Sequence, residues 1–177
     1  MALVSWKTAR ITRQGLALLE RGEWLTDEVM TFWLEYFSTA APPDGLGQPQ
    51  DVLVMDPVLG NLIVFEEDKG GRGKYEGVHW ALLALARDGE ELRGSYYDSM
   101  GTGNLHTAQL LAAKLAPKTE VRVAPAGKQQ NACDCGVFAL LFAEALCRDK
   151  DPKDVTQAQA EAARKHMASH IWRLAKP

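Results

Sequence analysis

The stretch Gln129–Cys147, QQNACDCGVFALLFAEALC, decides how this chain is read. Two cysteines one residue apart, Cys133 and Cys135, are followed by Gly136 and then by a run, Val137 to Cys147, that is apolar nearly all round. A helix with that pattern belongs at the centre of a domain. Four readings of the thiols at its start stand open: a metal site, a disulfide, core thiols, or a nucleophile mounted on the helix. Cys-x-Cys lacks the second pair that a zinc site needs. A bridge between Cys133 and Cys135 is badly strained at that spacing. A cysteine on an apolar helix is ordinarily packing, which is also the reading for Cys147. Cys135, however, opens the helix. There the positive end of the dipole and free backbone N–H groups favour thiolate and can stabilise an oxyanion.

The rest of the composition bounds the answer. The 177 residues form one domain, 1–177, long enough to bury a real core. Hydrophobic residues make up 46% and charged residues 24%, as in an ordinary soluble protein. A net charge of −3 does not suit a nucleic-acid or membrane-surface protein, which usually shows a basic face. No run reaches the length of a membrane span, and MALVSWKTARITRQ does not read as a signal peptide. The three cysteines are an odd number gathered between 133 and 147, so they are not a secreted disulfide framework. Reduced thiols in the cytoplasm or nucleus are the expectation.

Hydrophobic spacing predicts the elements. Leu16 to Arg21 reads as a short helical turn before Gly22, in an otherwise mixed N-terminus. In WLTDEVMTFWLEYF, Thr26 is a plausible N-cap with Asp27 and Glu28 in the first turn, and Val29, Phe32, Trp33, Tyr36 and Phe37 fall at helical intervals. STAAPPDGLGQPQ is a loop, DVLVMDP and NLIVFEED are short strands, and KGGRGKYEG is a charged, flexible loop. VHWALLALARD reads as a buried strand paired across a turn with ELRGSYYDS. NLHTAQLLAAKLA is helical, EVRVAP is a strand, and Thr156 to Ala175 is a helix on the outside. Helices on the faces of a sheet, only partly alternating with strands, give an α+β class.

A nucleophilic Cys135 needs a base. Of the four histidines, His166 and His170 sit on the exposed-looking C-terminal helix and His106 near a helix start. His79 lies between a Gly-rich loop and a buried strand, beside Trp80, where an imidazole can be held rigidly in a cleft. Asp98 ends the aromatic strand SYYD one hairpin away and can orient it. Taken singly, His79 also reads as a satisfied structural histidine and Asp98 as a turn residue.

Four blocks in order, WLTDEVMTFWLEYF, GVHWALL, YYDS and QQNACDCGVF, resemble the ubiquitin-like-protein proteases, the papain-like cysteine peptidases that process and remove SUMO and Nedd-type modifiers. EYF, QQN and EALC are most similar to the small deneddylase branch. The resemblance implies a papain-like fold, a central mixed or antiparallel sheet with the nucleophile at the N-terminus of a buried helix. It implies cleavage after the C-terminal Gly-Gly of a modifier, without metal or cofactor, by a monomer whose partners are the modifier and its conjugates. By the same resemblance Cys135 is the nucleophile, His79 the general base, Asp98 its orienter and Gln129 an oxyanion donor with the Cys135 N–H. Gln130 is the rival for the donor role, and Cys133 is a bystander. Trp24 and Trp80 would close over the glycine tail, which alone is narrow enough for such a slot, and Asp27 would pair with a basic residue of the tail. Thr26 stands where asparagine is commoner, and the segment before Asn61 looks shortened, with consequences for which modifier docks.

Rival classes are kept. SUMO- or ubiquitin-directed proteases share the blocks. Effector-type acetyltransferases share the His–acid–Cys order, although Trp80 and the Gln129 spacing favour a protease. A binding module that only holds its modifier would not need all four chemical positions filled. The alanine-rich composition suits an alga, a protist or a bacterium, and a bacterial copy would act as a secreted effector in a host cytosol.

Overall fold

The computed structural model describes residues 1–39, 79–89 and 91–176. The strands expected at DVLVMDP and NLIVFEED, the loop KGGRGKYEG, most of STAAPPDGLGQPQ and the shortened segment before Asn61 lie outside the described residues.

The chain opens with an antiparallel hairpin, β1 (Ala2–Trp6) and β2 (Ala9–Thr12), where the sequence predicts nothing regular. Both strands are short and carry charged or hydroxyl residues, so periodicity is weak. Val4, Ala9 and Ile11 are buried in the core, and Leu3 and Trp6 pack against it partly exposed. Helix α1 (Arg13–Arg21) follows directly, capped by the Thr12 hydroxyl, which accepts from Gly15 N, and stopped by Gly22 at φ 69°. Helix α2 (Asp27–Thr39) begins where Thr26 O accepts from the N–H groups of Val29 and Met30. It buries Val29, Met30 and Phe32. Two of its acids do more than favour a dipole. Glu28 accepts from Thr12 at the start of α1, and Glu35 accepts from Thr8 and Ala9 in the hairpin.

Strands β3 (Leu82–Asp88) and β4 (Glu91–Tyr97) form the expected antiparallel hairpin, in register from Leu82 opposite Tyr97 to Asp88 opposite Glu91. Helix α3 (Leu105–Leu115) then supplies the crossover that lets β5 (Val121–Val123) pair with β4 in parallel. The sheet order is β3-β4-β5. Contrary to the reading of a buried strand, Leu82–Leu85 of β3 are only partly buried.

Helix α4 (Cys135–Cys147) is the centre, with Val137, Phe138 and Phe142 fully enclosed. It contacts α2, β3 and the long C-terminal helix α5 (Gln157–Leu174). Cys147 at its far end is partly rather than fully buried. Helix α5 is started by a complete capping box between Thr156 and Gln159. It is less peripheral than its alanine-rich sequence suggests, because Arg164, Met167, Ala168 and Ile171 are buried against its neighbours. His170 lies half in, edge-on to the Trp33 ring and tilted against Tyr36.

Arg164 ties these parts together. Its Nε donates to Asp134 Oδ1 at 2.5 Å, Nη2 donates to Cys133 O at 2.9 Å and Glu23 O at 2.8 Å, and Nη1 donates to Leu18 O at 3.3 Å. Asp134 also accepts from Asn131 and Gln157. Removing one partner of a buried, hydrogen-bonded ion pair leaves the other charge uncompensated. Arg164→Met should therefore lower unfolding free energy by about 3–5 kcal/mol, read from urea denaturation. A midpoint equal to that of the parent would contradict this role.

Candidate active site

Asp98 follows the last residue of β4 and is 2% exposed. Its charge is met from all sides. Oδ1 accepts from His79 Nε2 at 2.8 Å, Met100 N at 2.7 Å and Gly101 N at 3.0 Å, and Oδ2 accepts from the Tyr96 hydroxyl at 2.6 Å. Tyr96 is itself fixed, since its oxygen accepts from Asn104 N at 3.1 Å. His79 sits just before β3, and the strand register carries it to the Asp98 end of the hairpin. Asn104 Nδ2 donates to His79 O at 2.7 Å and pins the backbone there. With Nε2 given to Asp98, the ring's Nδ1 is buried without a conventional hydrogen-bond partner. It is the nitrogen left for Cys135, the first residue of α4, which is 2% exposed and interacts with the His79 imidazole.

Two tryptophans flank this point. Trp80 Nε1 donates to Leu25 O at 2.9 Å. A Cβ on Gly136 would lie 3.1 Å from Trp80 Cδ1 and 3.2 Å from both Leu25 Cβ and Met30 Sδ, so a side chain there would make the ring, Leu25 and α2 give by a few tenths of an ångström. Trp24 is 47% exposed, and its indole N–H donates to Ala132 O in the loop that leads to Cys135. Asp27 is exposed in the first turn of α2, three residues beyond Trp24. Gln129 is held at both ends of its amide. Oε1 accepts from Ser99 Oγ at 2.6 Å, and Nε2 donates to Asn131 O at 2.5 Å. Gln130 is exposed and uses its backbone N–H on Gln157.

The sequence profile described as the Ulp1 protease family, C-terminal catalytic domain, matches residues 73–175, more than half the chain and all of the ground from His79 to Cys135. The chain belongs to the Ulp1 protease family. It is therefore a cysteine-type peptidase with the α+β fold expected from its sequence. Relatives include the probable sentrin-specific protease 8 of Dictyostelium discoideum, 22% identical over 82% of this chain and 75% of that protein. Human sentrin-specific protease 8 is 23% identical over 83% of this chain and 82% of its own length. Rat sentrin-specific protease 2 is 24% identical over 93% of this chain but only 32% of the relative. The crystal structure of the C-terminal Ulp1 protease domain in complex with Smt3, the yeast ortholog of SUMO, superposes with a TM-score of 0.75, at 16% identity over 99% of this chain and 88% of that one. At that identity the match speaks for the fold.

The electrostatics of this Ulp1-family site set its two cysteines apart. Burial pushes the Cys135 thiol up, but the facing His79 imidazole and the backbone N–H groups of Trp80 and Gly136 together bring it below its ordinary value. Burial and the Asp134 carboxylate push Cys133 the other way. Its Sγ only donates to Asn131 Oδ1, at 3.4 Å. His79 is raised to about 9, first by its hydrogen bond to Asp98 and then by Cys135, against the opposing effect of burial. Burial would raise Asp98 too, but bonds from His79, Tyr96, Met100 and Gly101 hold it well below the usual carboxylate range.

Sequence reasoning named Cys135, His79 and Asp98, and the fold brings all three together. It missed Tyr96, Asn104, Ser99, Asp134 and Arg164. Tyr96 carried a signal, because a residue two before Asp98 on a strand points to the same face. Arg164 carried none.

These shifts predict a pH profile. With His79 protonated up to about 9 and Cys135 lowered, the thiolate–imidazolium pair should persist below the ordinary range of a thiol. Iodoacetamide should alkylate wild-type Cys135 well below pH 8. In His79→Ala only the opposing effect of burial and the weaker N–H contributions remain, so the alkylation midpoint should move upward. An unchanged midpoint would show that the imidazole does not activate the thiol.

Proposed function

We propose that this peptidase cleaves the bond after the C-terminal Gly-Gly of a ubiquitin-like modifier, processing precursors or releasing the modifier from lysines. The observation that carries the reading is the Cys135 thiol, paired with an Asp98-anchored His79 and nearly closed off beside Trp80. A thiol so enclosed accepts a chain with little side-chain bulk, which favours glycines. The thiolate attacks the terminal glycine carbonyl. As the C–N bond breaks, the Nδ1 proton of His79 passes to the leaving amine, which leaves a thioester. Neutral His79 then takes a proton from water as that water attacks the thioester carbon. Thiolate departs and the protonated imidazole is restored. Asp98 holds the ring and stabilises its charge. Gln129 and the Cys135 N–H stabilise the oxyanion in both steps. Trp24 and Trp80 line the tail's path, and exposed Asp27 offers a counter-charge to a basic residue in the tail.

A Nedd-type modifier is the favoured substrate. Support comes from EYF, QQN and EALC, and from the chain spanning most of the length of the sentrin-specific protease 8 relatives. SUMO is the second reading, because the superposing Ulp1 domain was solved with Smt3. The enzyme acts as a monomer in a reducing compartment, cytoplasm or nucleus, where its three free cysteines remain thiols.

A panel of modifiers with C-terminal fluorogenic groups tests the reading. Cys135→Ala should reduce turnover by about 10⁴-fold or more while modifier binding persists. A modifier ending in an electrophile should label Cys135 and leave Cys133 free, as mapped by mass spectrometry. Labelling of Cys133 instead would end the assignment.

A further inference from the structure

Three bonds run from the segment that carries the acid to the segment that carries the oxyanion donor. Lys128 Nζ donates to Asp98 O at 2.9 Å, Gln129 N donates to Ser99 O at 3.3 Å, and Ser99 Oγ donates to Gln129 Oε1 at 2.6 Å. Ser99 is 2% exposed and directly follows Asp98. The orientation of the Gln129 amide is settled by chemistry. Asn131 O only accepts, so the amide nitrogen faces it at 2.5 Å, and the amide oxygen must face the Ser99 hydroxyl. One amide N–H is thereby spent on Asn131, which leaves the other for a substrate oxygen.

We propose that Ser99 is a positioning residue for oxyanion stabilisation. It holds Gln129 so that its remaining N–H points at the developing charge, and it makes the alignment of the donor depend on the same segment that aligns the base. The inference deepens the proposed proteolytic reading and rests on it. A side-chain amide on a loop rotates freely about its terminal torsion unless both ends are held. Oxyanion stabilisation depends on donors fixed before the reaction. Ser99→Ala removes the hold at one end and leaves Gln129 in place to rotate.

The test is a double-mutant cycle on the full chain with the best fluorogenic modifier of the panel. Ser99→Ala should lower kcat about tenfold with KM little changed, less than the ~100-fold or greater loss expected when Gln129→Ala removes the donor outright. Ser99→Ala/Gln129→Ala should be no slower than Gln129→Ala alone, because Ser99 has nothing left to orient. Alkylation of Cys135 by iodoacetamide should keep its wild-type pH profile in Ser99→Ala, since that reaction uses the thiolate and not the oxyanion donors. Independent, multiplying losses in the double variant would overturn the proposal, and so would a shifted alkylation profile, which would place Ser99 in the support of Asp98 instead. A wild-type enzyme that turns over none of the modifiers, though Cys135 is alkylated normally, would remove the proteolytic reading and this inference with it. Active wild type with multiplying losses would remove only the role of Ser99.

Discussion

The Arg164 guanidinium is the constraint on which the site depends. It arrives from the C-terminal helix and donates to Asp134, Cys133 O, Glu23 O and Leu18 O. Those acceptors belong to the last turn of α1, to the turn that follows it and to the residues immediately before the nucleophile. Glu23 precedes Trp24, and Asp134 precedes Cys135. One planar cation thus sets the spacing between the segment that carries Trp24 and the start of α4. A lysine has no fork of N–H groups with which to meet four acceptors on different segments. The carboxylate of Asp134 is balanced in turn, because Asn131 and Gln157 donate to its second oxygen. A buried ion pair of this kind is retained only when its remaining hydrogen-bonding capacity is satisfied.

The same logic operates at smaller scale in the chemistry. Burial alone would keep every ionisable group of the site neutral. Each is shifted toward its charged form by specific partners: Asp98 by four donors, His79 by Asp98 and Cys135, and Cys135 by His79 and two backbone N–H groups. The charges form a chain in which removal of one member shifts the next. Cys133, two residues away and on the surface side, has no imidazole beside it and a carboxylate as its neighbour, and its thiol moves in the opposite direction. Two cysteines separated by a single residue are therefore chemically unlike because of what faces them across the fold.

Much of the architecture was readable from local pattern. The uniform apolarity of Val137–Cys147 marks a central helix, and α4 is one. The hairpin β3–β4 and the helices α2, α3 and α5 follow from spacing and turn residues close in sequence. The hairpin β1–β2 escaped because its short strands carry only three fully buried residues, among charged, hydroxyl and partly exposed ones. The ring cluster of Trp33, Tyr36 and His170 joins α2 to α5 across more than 130 residues, a distance at which spacing carries no information.

By itself the sequence named groups able to do chemistry: a thiol at the head of a buried helix, an imidazole before a strand and a carboxylate at the strand's partner; the carboxamide six residues ahead of the thiol came only from the family resemblance. Helix and strand periodicities are short-range properties, so they place each group at an element end without naming its neighbours. Tertiary structure alone decided which imidazole nitrogen faces the sulfur, which end of the Gln129 amide is anchored, and that an arginine from the last helix secures the loop before Cys135. Those choices arise from contacts between residues tens to more than a hundred positions apart. Their strength comes from orientation and burial, which exist only once the segments have packed.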